Sequence, residues 1–179
     1  MNKKKIIIIS GKQFSGKDTV ASVINNALSD FKRVALADAI KIEFGQKKNL
    51  TFAEVDRNKP LYRADLINLG NKRRAEDPDY WIKKVLIEKG NLIVSDLRLK
   101  HELDTFKKLG STTVRVNSDR NERAKRGLLV QENDTTEIDL DNIKDWDYII
   151  ENNESLESLI ENTEKIAKLI EKLIYSSSK

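Results

Sequence analysis

Residues 5–28 combine a short apolar run, a glycine-containing loop and a segment with helical apolar spacing. Four consecutive isoleucines at positions 6–9 predict a fully buried strand over residues 5–10. Residues 11–17 are Gly-Lys-Gln-Phe-Ser-Gly-Lys, which fits the pattern G-x-x-x-x-G-K. Val20, Val23, Ile24 and Leu28 then predict a helix over residues 19–28. The pattern therefore lies between a strand and a helix, which is the context that a phosphate-binding loop requires.

A loop of this kind binds polyphosphate mainly through its backbone. Its glycines let the chain wrap closely, so that successive N–H groups point into a nest for the β-phosphate. The helix that follows adds its positive end, and Lys17 can reach the β- and γ-phosphates. We therefore expect ATP to be bound by Gly11, Lys12, Ser15, Gly16, Lys17, Asp18 and Thr19.

Asp18 stands where serine or threonine usually follows the lysine and binds Mg²⁺ through its hydroxyl. A carboxylate can hold Mg²⁺ directly or through water. It is also favoured at a helix N-terminus. We expect Asp18 to hold Mg²⁺, and the alternative is that it only caps the helix.

Strands and helices alternate along the rest of the chain. Further strands are predicted over residues 33–36, 91–95, 112–116 and 146–150, and helices over residues 39–44, 61–69, 99–109 and 120–126. Asp77 is a candidate N-cap for a helix that starts at Pro78. A last helix begins at Ser155, and its apolar side consists of Leu156, Leu159, Ile160, Ile166, Ile170 and Leu173. This order predicts an α/β fold of three layers, α/β/α, with a mostly parallel sheet. We expect one domain over residues 1–179, with a helical acceptor-binding region at about 50–88 and a small basic lid at about 118–135.

Composition excludes several classes of protein. No run approaches the roughly 18 apolar residues of a membrane span, and the N-terminal apolar run is too short for a signal peptide, so we expect a cytoplasmic protein without a membrane partner. The chain has no cysteine and one histidine, which excludes disulfides and most zinc sites. The net charge of +4 with interspersed signs does not favour nucleic-acid binding. Whether the chain is a monomer or a homodimer stays open.

Charged residues at the end of the strand over residues 91–95 are candidates for chemistry, because ligands bind at the carboxyl edge of open parallel sheets. Asp96 could orient the acceptor or hold water-bound Mg²⁺, and Arg98 could hold an acceptor phosphate bidentately. The alternatives are a helix cap for Asp96 and a surface salt bridge for Arg98. Arg120, Arg123 and Arg126 recur every three residues, which predicts either a lid that closes on triphosphate or a solvated basic face.

Residues 10–18, Ser-Gly-Lys-x-x-Ser-Gly-Lys-Asp, resemble the P-loop of animal-type phosphomevalonate kinases and of phage deoxynucleoside monophosphate kinases. Residues 36–41, 94–98, 136–141 and 147–152 resemble both groups, whereas residues 62–70 and the basic segment 123–127 are closer to phosphomevalonate kinase. The resemblance covers most of the chain. It implies that acceptor recognition involves Lys41, Arg63, Arg74, Arg98 and Arg115. Gln13, Phe14 and Leu99 stand where phosphomevalonate kinases carry basic residues, and each replacement removes a possible phosphate contact.

The function that we predict is transfer of the γ-phosphoryl group of ATP to a small molecule that already carries phosphate. Lys17, Asp18, Asp96, Arg98 and Arg123 would act in catalysis. The resemblance implies mevalonate 5-phosphate as the acceptor, and a deoxynucleoside monophosphate is the alternative. A nucleotide-binding regulator without catalysis, and an ATPase that binds nucleic acid, are alternatives of other classes.

Overall fold

A computed structural model describes residues 4–176. Its elements, in chain order, are β1 (Ile6–Gly11), α1 (Lys17–Ala27), β2 (Phe31–Val34), α2 (Leu36–Lys48), α3 (Phe52–Arg57), α4 (Lys59–Glu76), α5 (Tyr80–Leu86), β3 (Asn91–Leu97), α6 (Lys100–Lys108), β4 (Thr112–Asn117), α7 (Arg120–Arg126), α8 (Thr135–Ile138), β5 (Tyr148–Glu151) and α9 (Leu156–Ser176). Backbone contacts divide the chain into two compact units. One unit is Val34–Lys89, and the other contains the described residues on either side of that segment.

The larger unit is built on a five-stranded sheet in the order β2-β3-β1-β4-β5. The central strand β1 runs parallel to both β3 and β4, and β4 runs parallel to β5. The side chains of the four isoleucines in β1 are at most 6% exposed. A strand that is covered on both faces needs a continuous apolar run, which explains the sequence of β1.

Helices cover both faces of this sheet. Ile7 and Ile9 share a core with apolar residues of α1 and α9, which pack against each other. The chain crosses from β1 through α1 to β2 in one direction and from β3 through α6 to β4 in the other. Because such crossovers are right-handed, α6 lies on the face opposite α1, and its Leu103 and Phe106 are buried. The predicted three-layer α/β/α arrangement is confirmed.

The smaller unit consists of α2 to α5, with α2 in contact with the other three helices. Phe44, Val55 and Leu66 form its core. The indole N–H of Trp81 donates to the carbonyl of Gly70 at 3.1 Å. Glu43 is buried between Arg73 at 2.7 Å and the hydroxyl of Tyr80 at 2.7 Å. These contacts hold the helices of the unit together.

Two of the predicted strands have wrong boundaries. The second strand is Phe31–Val34 rather than residues 33–36, because Leu36 begins α2 and is buried as a helical residue. The last strand begins at Tyr148 rather than at Trp146. Trp146 instead donates its indole N–H to the carbonyl of Ile143 at 3.0 Å, in the loop before the strand. In both cases an apolar residue two positions outside the strand was taken as part of it.

Two helix predictions are also wrong in detail. The helix expected to start at Pro78 begins at Tyr80, and Asp77 ends α4 instead of capping α5. In α9, Leu156 and Leu173 are 56% and 54% exposed, so they do not lie on the buried side. The buried side of α9 contains the small residues Thr163 and Ala167, which a search for large apolar side chains overlooks.

No helix within residues 4–176 is long and apolar enough to cross a membrane.

Candidate active site

The loop between β1 and α1 has the conformation of a phosphate nest. Gly16 is the N-cap of α1 and has a left-handed backbone with φ of 95°. The N–H of Ser15 donates to the carbonyl of Lys12 at 3.2 Å and closes a turn. Phe14 also has a positive φ, 57°, although it is not glycine. The loop therefore contains two left-handed residues, at Phe14 and Gly16, as nests require.

Side chains from outside the loop hold three consecutive carbonyls. The carbonyl of Gln13 accepts from Arg123 at 3.3 Å, that of Phe14 from Arg126 at 3.2 Å, and that of Ser15 from Asn152 at 2.8 Å. Since the C=O and the following N–H of a planar trans peptide point in opposite directions, these contacts turn the N–H groups of residues 14 and 16 towards the other side of the loop. That orientation presents backbone donors to an anion.

The hydroxyl of Ser15 is a second donor to the nest. Ser15 is 1% exposed, and its Oγ has no hydrogen-bond partner among the described residues. A Cβ on Gly11 would collide with this oxygen, so the glycine makes room for it. A buried hydroxyl without a partner is costly, and a phosphate oxygen in the nest would satisfy it.

Lys17 supplies a buried positive charge. Its residue is 9% exposed, and its ammonium makes no hydrogen bond or salt bridge within the part of the chain that the structure describes. Burial, together with the nearby Arg98, lowers the pKa of Lys17 from 10.5 to about 8, against the opposing effects of Asp18, Glu137 and Asp96. A bound polyphosphate would offset the cost of burying this charge.

Asp18 lies in the first turn of α1 and has a partner that the sequence did not indicate. Arg33, in β2, donates to a carboxylate oxygen of Asp18 at 2.7 Å and to the hydroxyl of Ser95 at 3.2 Å. The Asp18 side chain is 72% exposed. Arg33 therefore orients a carboxylate that remains open to solvent, and to a cation.

Arg98 follows β3 and is held by Glu137, which is 8% exposed. The guanidinium Nη1 donates to one oxygen of the Glu137 carboxylate at 2.6 Å. The other oxygen accepts the backbone N–H of Gln13 at 3.0 Å. Asp96 lies at the end of β3, half-buried, and both Asp96 and Arg98 act on the charge of Lys17. The structure thus brings Lys17, Asp96 and Arg98 together around the nest.

Arg115 and Lys12 share the carboxylate of Asp141. Arg115 is 9% exposed, and burial lowers the pKa of its guanidinium. It donates to the hydroxyl of Ser10 at 3.0 Å and lies 3.6 Å from Asp141. Lys12 contacts the other oxygen of Asp141 at 2.6 Å. Arg115 thus supports the edge of the sheet, and its role in substrate binding remains a prediction.

The arginines of the basic segment contact protein groups. Arg120 forms a salt bridge with Glu132 at 2.7 Å. Arg123 is 5% exposed and also donates to the carbonyl of Ser118 at 3.2 Å. Arg126 also donates to the carbonyl of Asn152 at 2.9 Å. The segment is therefore tied to the P-loop, and contact of these arginines with triphosphate remains a prediction.

The remaining predicted acceptor residues lie in the smaller unit. Lys41 donates to Asp38 at 2.9 Å and to Asp56 at 2.7 Å. Arg63 and Arg74 lie on α4, exposed and half-buried, respectively. Their role in acceptor binding also remains a prediction.

The carboxylates fit a Mg²⁺ ion that is bound together with phosphate. No group of three or more His, Cys, Asp or Glu side chains within residues 4–176 is placed to hold a metal ion by itself. Kinases commonly hold Mg²⁺ with one or two carboxylates plus phosphate oxygens and water. Asp18 and Asp96 both act on the charge of Lys17, and their binding of Mg²⁺ remains a prediction.

Three residues of the site were not predicted to act in it: Arg33, Glu137 and Asn152. Glu137 and Asn152 lie in segments that resemble the kinase families, and Asn152 directly follows β5 at the carboxyl edge of the sheet. A polar residue at a strand end was therefore a usable signal for Asn152. No pattern in the sequence marked Arg33.

Comparison with known proteins adds two family matches and several relatives. Residues 9–112 match the family described as Phosphomevalonate kinase, and residues 74–163 match the family described as Deoxynucleotide monophosphate kinase. A phosphomevalonate kinase of Drosophila melanogaster is 27% identical over 171 residues, which cover 86% of this chain and 90% of the relative.

Solved kinase structures share the fold. A dephospho-CoA kinase from Campylobacter jejuni aligns with a TM-score of 0.56 and 16% identity, over 94% of this chain and 98% of that one. A shikimate kinase from Aquifex aeolicus aligns with a TM-score of 0.51 and 16% identity, over 95% of this chain and 99% of that one. At these identities the likeness shows the fold alone.

Proposed function

Because this chain belongs to the phosphomevalonate kinase family, we propose that it phosphorylates mevalonate 5-phosphate to mevalonate 5-diphosphate, with ATP as the phosphoryl donor. Whichever acceptor it uses, the chain is a P-loop kinase that transfers a phosphoryl group to a small molecule. The observation that carries the proposal is the match of residues 9–112 to the phosphomevalonate kinase family, because this segment includes the P-loop, β3 with Asp96, and Arg98 directly after that strand.

The donor binds in the nest. The N–H groups turned inward at the P-loop, the hydroxyl of Ser15 and the positive end of α1 hold the β-phosphate of ATP. Lys17 contacts the β- and γ-phosphates and follows charge that moves to the bridging oxygen. Gly11 and Gly16 allow the close approach, Lys12 lies at the start of the loop, and Thr19 lies in the first turn of α1.

Asp18 and Asp96 would hold Mg²⁺, and the ion would supply positive charge that offsets the negative charge of the triphosphate. Arg33 keeps the Asp18 carboxylate in one orientation through its contact at 2.7 Å. Arg123 and Arg126 stabilise the loop through its carbonyls, and we propose that they also face the triphosphate when it is bound.

The acceptor phosphate is bound by Arg98, and by Lys41, Arg63, Arg74 and Arg115 in line with the family resemblance. One oxygen of that phosphate attacks the γ-phosphorus of ATP, a new P–O bond forms, and the bond to the β–γ bridging oxygen breaks, so that ADP leaves. A phosphate oxygen is already ionised at neutral pH, so the reaction requires no strong general base.

The second candidate is transfer to a deoxynucleoside monophosphate, which the match of residues 74–163 favours. Either acceptor presents a phosphate to Arg98, so the P-loop geometry does not separate the two. Leu99 replaces an arginine of the phosphomevalonate kinase pattern, which removes one possible contact with the acceptor phosphate.

The test is an assay of ADP release with purified protein, ATP and Mg²⁺. Mevalonate 5-phosphate should support turnover, whereas mevalonate, which lacks the phosphate, should not. Lys17→Ala should abolish release in a protein that remains folded. Turnover with dTMP or dGMP and none with mevalonate 5-phosphate would transfer the proposal to the second candidate.

A further inference from the structure

The Glu137 carboxylate joins two parts of the site that are remote in sequence. Glu137 lies in the first turn of α8 and is 8% exposed. One oxygen accepts from Nη1 of Arg98 at 2.6 Å, and the other accepts from the backbone N–H of Gln13 at 3.0 Å. A single side chain thus bridges the tip of the P-loop and the arginine that follows β3.

The segment before Glu137 is attached to the same point of the P-loop. The side-chain amide of Gln13 donates to the carbonyl of Val130 at 2.6 Å, and its oxygen accepts from the N–H of Val130 at 3.2 Å. Both the backbone and the side chain of Gln13 are therefore bound by residues 130–137. This reciprocal pairing makes the position of Glu137 relative to the loop well defined.

A buried carboxylate is retained only where its partners offset the cost of removing it from water. Glu137 has one charge-assisted bond to Arg98 and lies close enough to Lys17 and Arg115 to act on the charge of each. Arg98 is bound through Nη1, and a guanidinium carries five N–H donors. The remaining donors of Arg98 are thus held in a fixed direction and stay available to a phosphate.

We propose that Glu137 is a positioning residue for phosphoryl transfer. It holds the Arg98 guanidinium at a set distance from the P-loop, so that a phosphate on Arg98 meets the γ-phosphate of a nucleotide in the nest. This role rests on the proposed function only in assigning the acceptor phosphate to Arg98. A competing role is that Glu137 occupies an anion position and leaves when phosphate binds.

Kinetics separate the two roles. Glu137→Gln keeps the size and hydrogen-bonding length of the side chain but loses the charge, and we expect kcat to fall about 10- to 100-fold while the KM for ATP changes less than about 3-fold. Glu137→Asp keeps the charge but is too short to contact both partners, and kcat should fall similarly. The matched control is Asp104→Asn, which removes an exposed carboxylate of α6 that contacts Lys100 at 2.6 Å, and should stay within about 3-fold of wild type.

A double-mutant cycle with Arg98→Lys tests the connection itself. If Glu137 acts through Arg98, Glu137→Gln should cost much less in the Arg98→Lys background than in the wild type, because the group it positions is already lost. Independent effects that multiply would overturn the proposal. Wild-type kcat in Glu137→Gln with tighter binding of inorganic phosphate would also overturn it and assign the competing role.

A readout without acceptor keeps this inference distinct from the proposed function. Hydrogen–deuterium exchange over the P-loop should increase in Glu137→Ala, because the Gln13 N–H loses its partner, and should not change in Asp104→Asn. If the wild type shows no turnover with mevalonate 5-phosphate but the exchange pattern is as expected, the proposed function is contradicted and the positioning role of Glu137 is not. Unchanged exchange in Glu137→Ala contradicts the positioning role, whichever acceptor is used.

Discussion

Replacement of Lys17 by methionine should make the protein more stable at neutral pH while it abolishes phosphoryl transfer. Lys17 is 9% exposed, and burial lowers its pKa from 10.5 to about 8. That lowering corresponds to about 3 kcal/mol by which the folded protein disfavours the charged form relative to the unfolded chain. Methionine has a similar length and no charge to remove from water. We expect the free energy of unfolding of Lys17→Met at pH 7 to exceed that of the wild type by about 1–3 kcal/mol.

The pH dependence follows from the same lowering of the Lys17 pKa. Below pH 8 the lysine is protonated in both the folded and the unfolded state, so the penalty is fully present. As the pH rises from about 8 to 10.5, the folded protein releases this proton before the unfolded chain does, and the wild type gains stability. The advantage of Lys17→Met should therefore be largest below pH 8 and should decrease towards pH 10.5.

Urea denaturation followed by tryptophan fluorescence measures this difference, because Trp81 and Trp146 are 1% and 9% exposed and report on the two units. Measurements at pH 7 and pH 10 bracket the range. The control is Lys125→Met, whose side chain is 69% exposed in the wild type and which should change stability by less than about 0.5 kcal/mol. A Lys17→Met protein that is less stable than wild type at pH 7, or whose advantage is equal at both pH values, would refute the reasoning.

Three further changes have defined outcomes. Arg33→Ala removes the partner of Asp18 and should raise the Mg²⁺ concentration for half-maximal turnover about 3- to 10-fold, with unchanged thermal stability; an unchanged Mg²⁺ requirement would contradict the role of Arg33. Asn152→Ala removes the donor to the carbonyl of Ser15 and should weaken ADP binding about 10-fold in calorimetry, and binding of wild-type strength would show that the other carbonyl contacts suffice. Burial raises the pKa of Glu43, but hydrogen bonds from Tyr80, Lys47 and Arg73 outweigh it and lower the pKa to about 2. The stability that the ionised Glu43 contributes above pH 4.5 is therefore lost as the pH falls towards 2. Glu43→Gln should flatten that acid dependence in the fluorescence of Trp81, and an unchanged acid profile would show that other carboxylates control it.

Local sequence predicted the centre of the fold and of the site. The isoleucine run of β1, the loop and α1 are adjacent in sequence, and each is specified by neighbouring residues, so periodicity and turn chemistry sufficed. For example, Gly16 has a left-handed backbone, and this conformation favours glycine whatever the rest of the chain does. The end of β2 and the start of β5 were each misplaced by two residues, because the apolar residues Leu36 and Trp146 lie close to these strands without belonging to them.

Contacts between remote segments were not predictable in this way. Asp18 and Arg33 are joined because β1, α1 and β2 form one crossover, and Arg98 and Glu137 because residues 130–137 fold back onto the P-loop. Such pairs have no fixed spacing in sequence. The arginines of α7 are a second example, because the sequence predicted that they face either solvent or triphosphate. Arg123 is buried against the carbonyls of Ser118 and Gln13, and only the tertiary structure brings the carbonyl of Gln13 close to it.

The backbone of Phe14 shows how these remote contacts and the local motif depend on each other. A left-handed conformation costs a non-glycine residue of this size about 1–2 kcal/mol, and Phe14 has φ of 57°. The carbonyls of Gln13, Phe14 and Ser15 are each bound by a side chain from α7 or from the residue that follows β5. Hydrogen bonds of this kind contribute about 1 kcal/mol each, so together they offset the strain. The nest is therefore maintained by the surrounding structure as well as by its glycines, and a chain with the same seven loop residues but without Arg123, Arg126 and Asn152 should bind nucleotide more weakly.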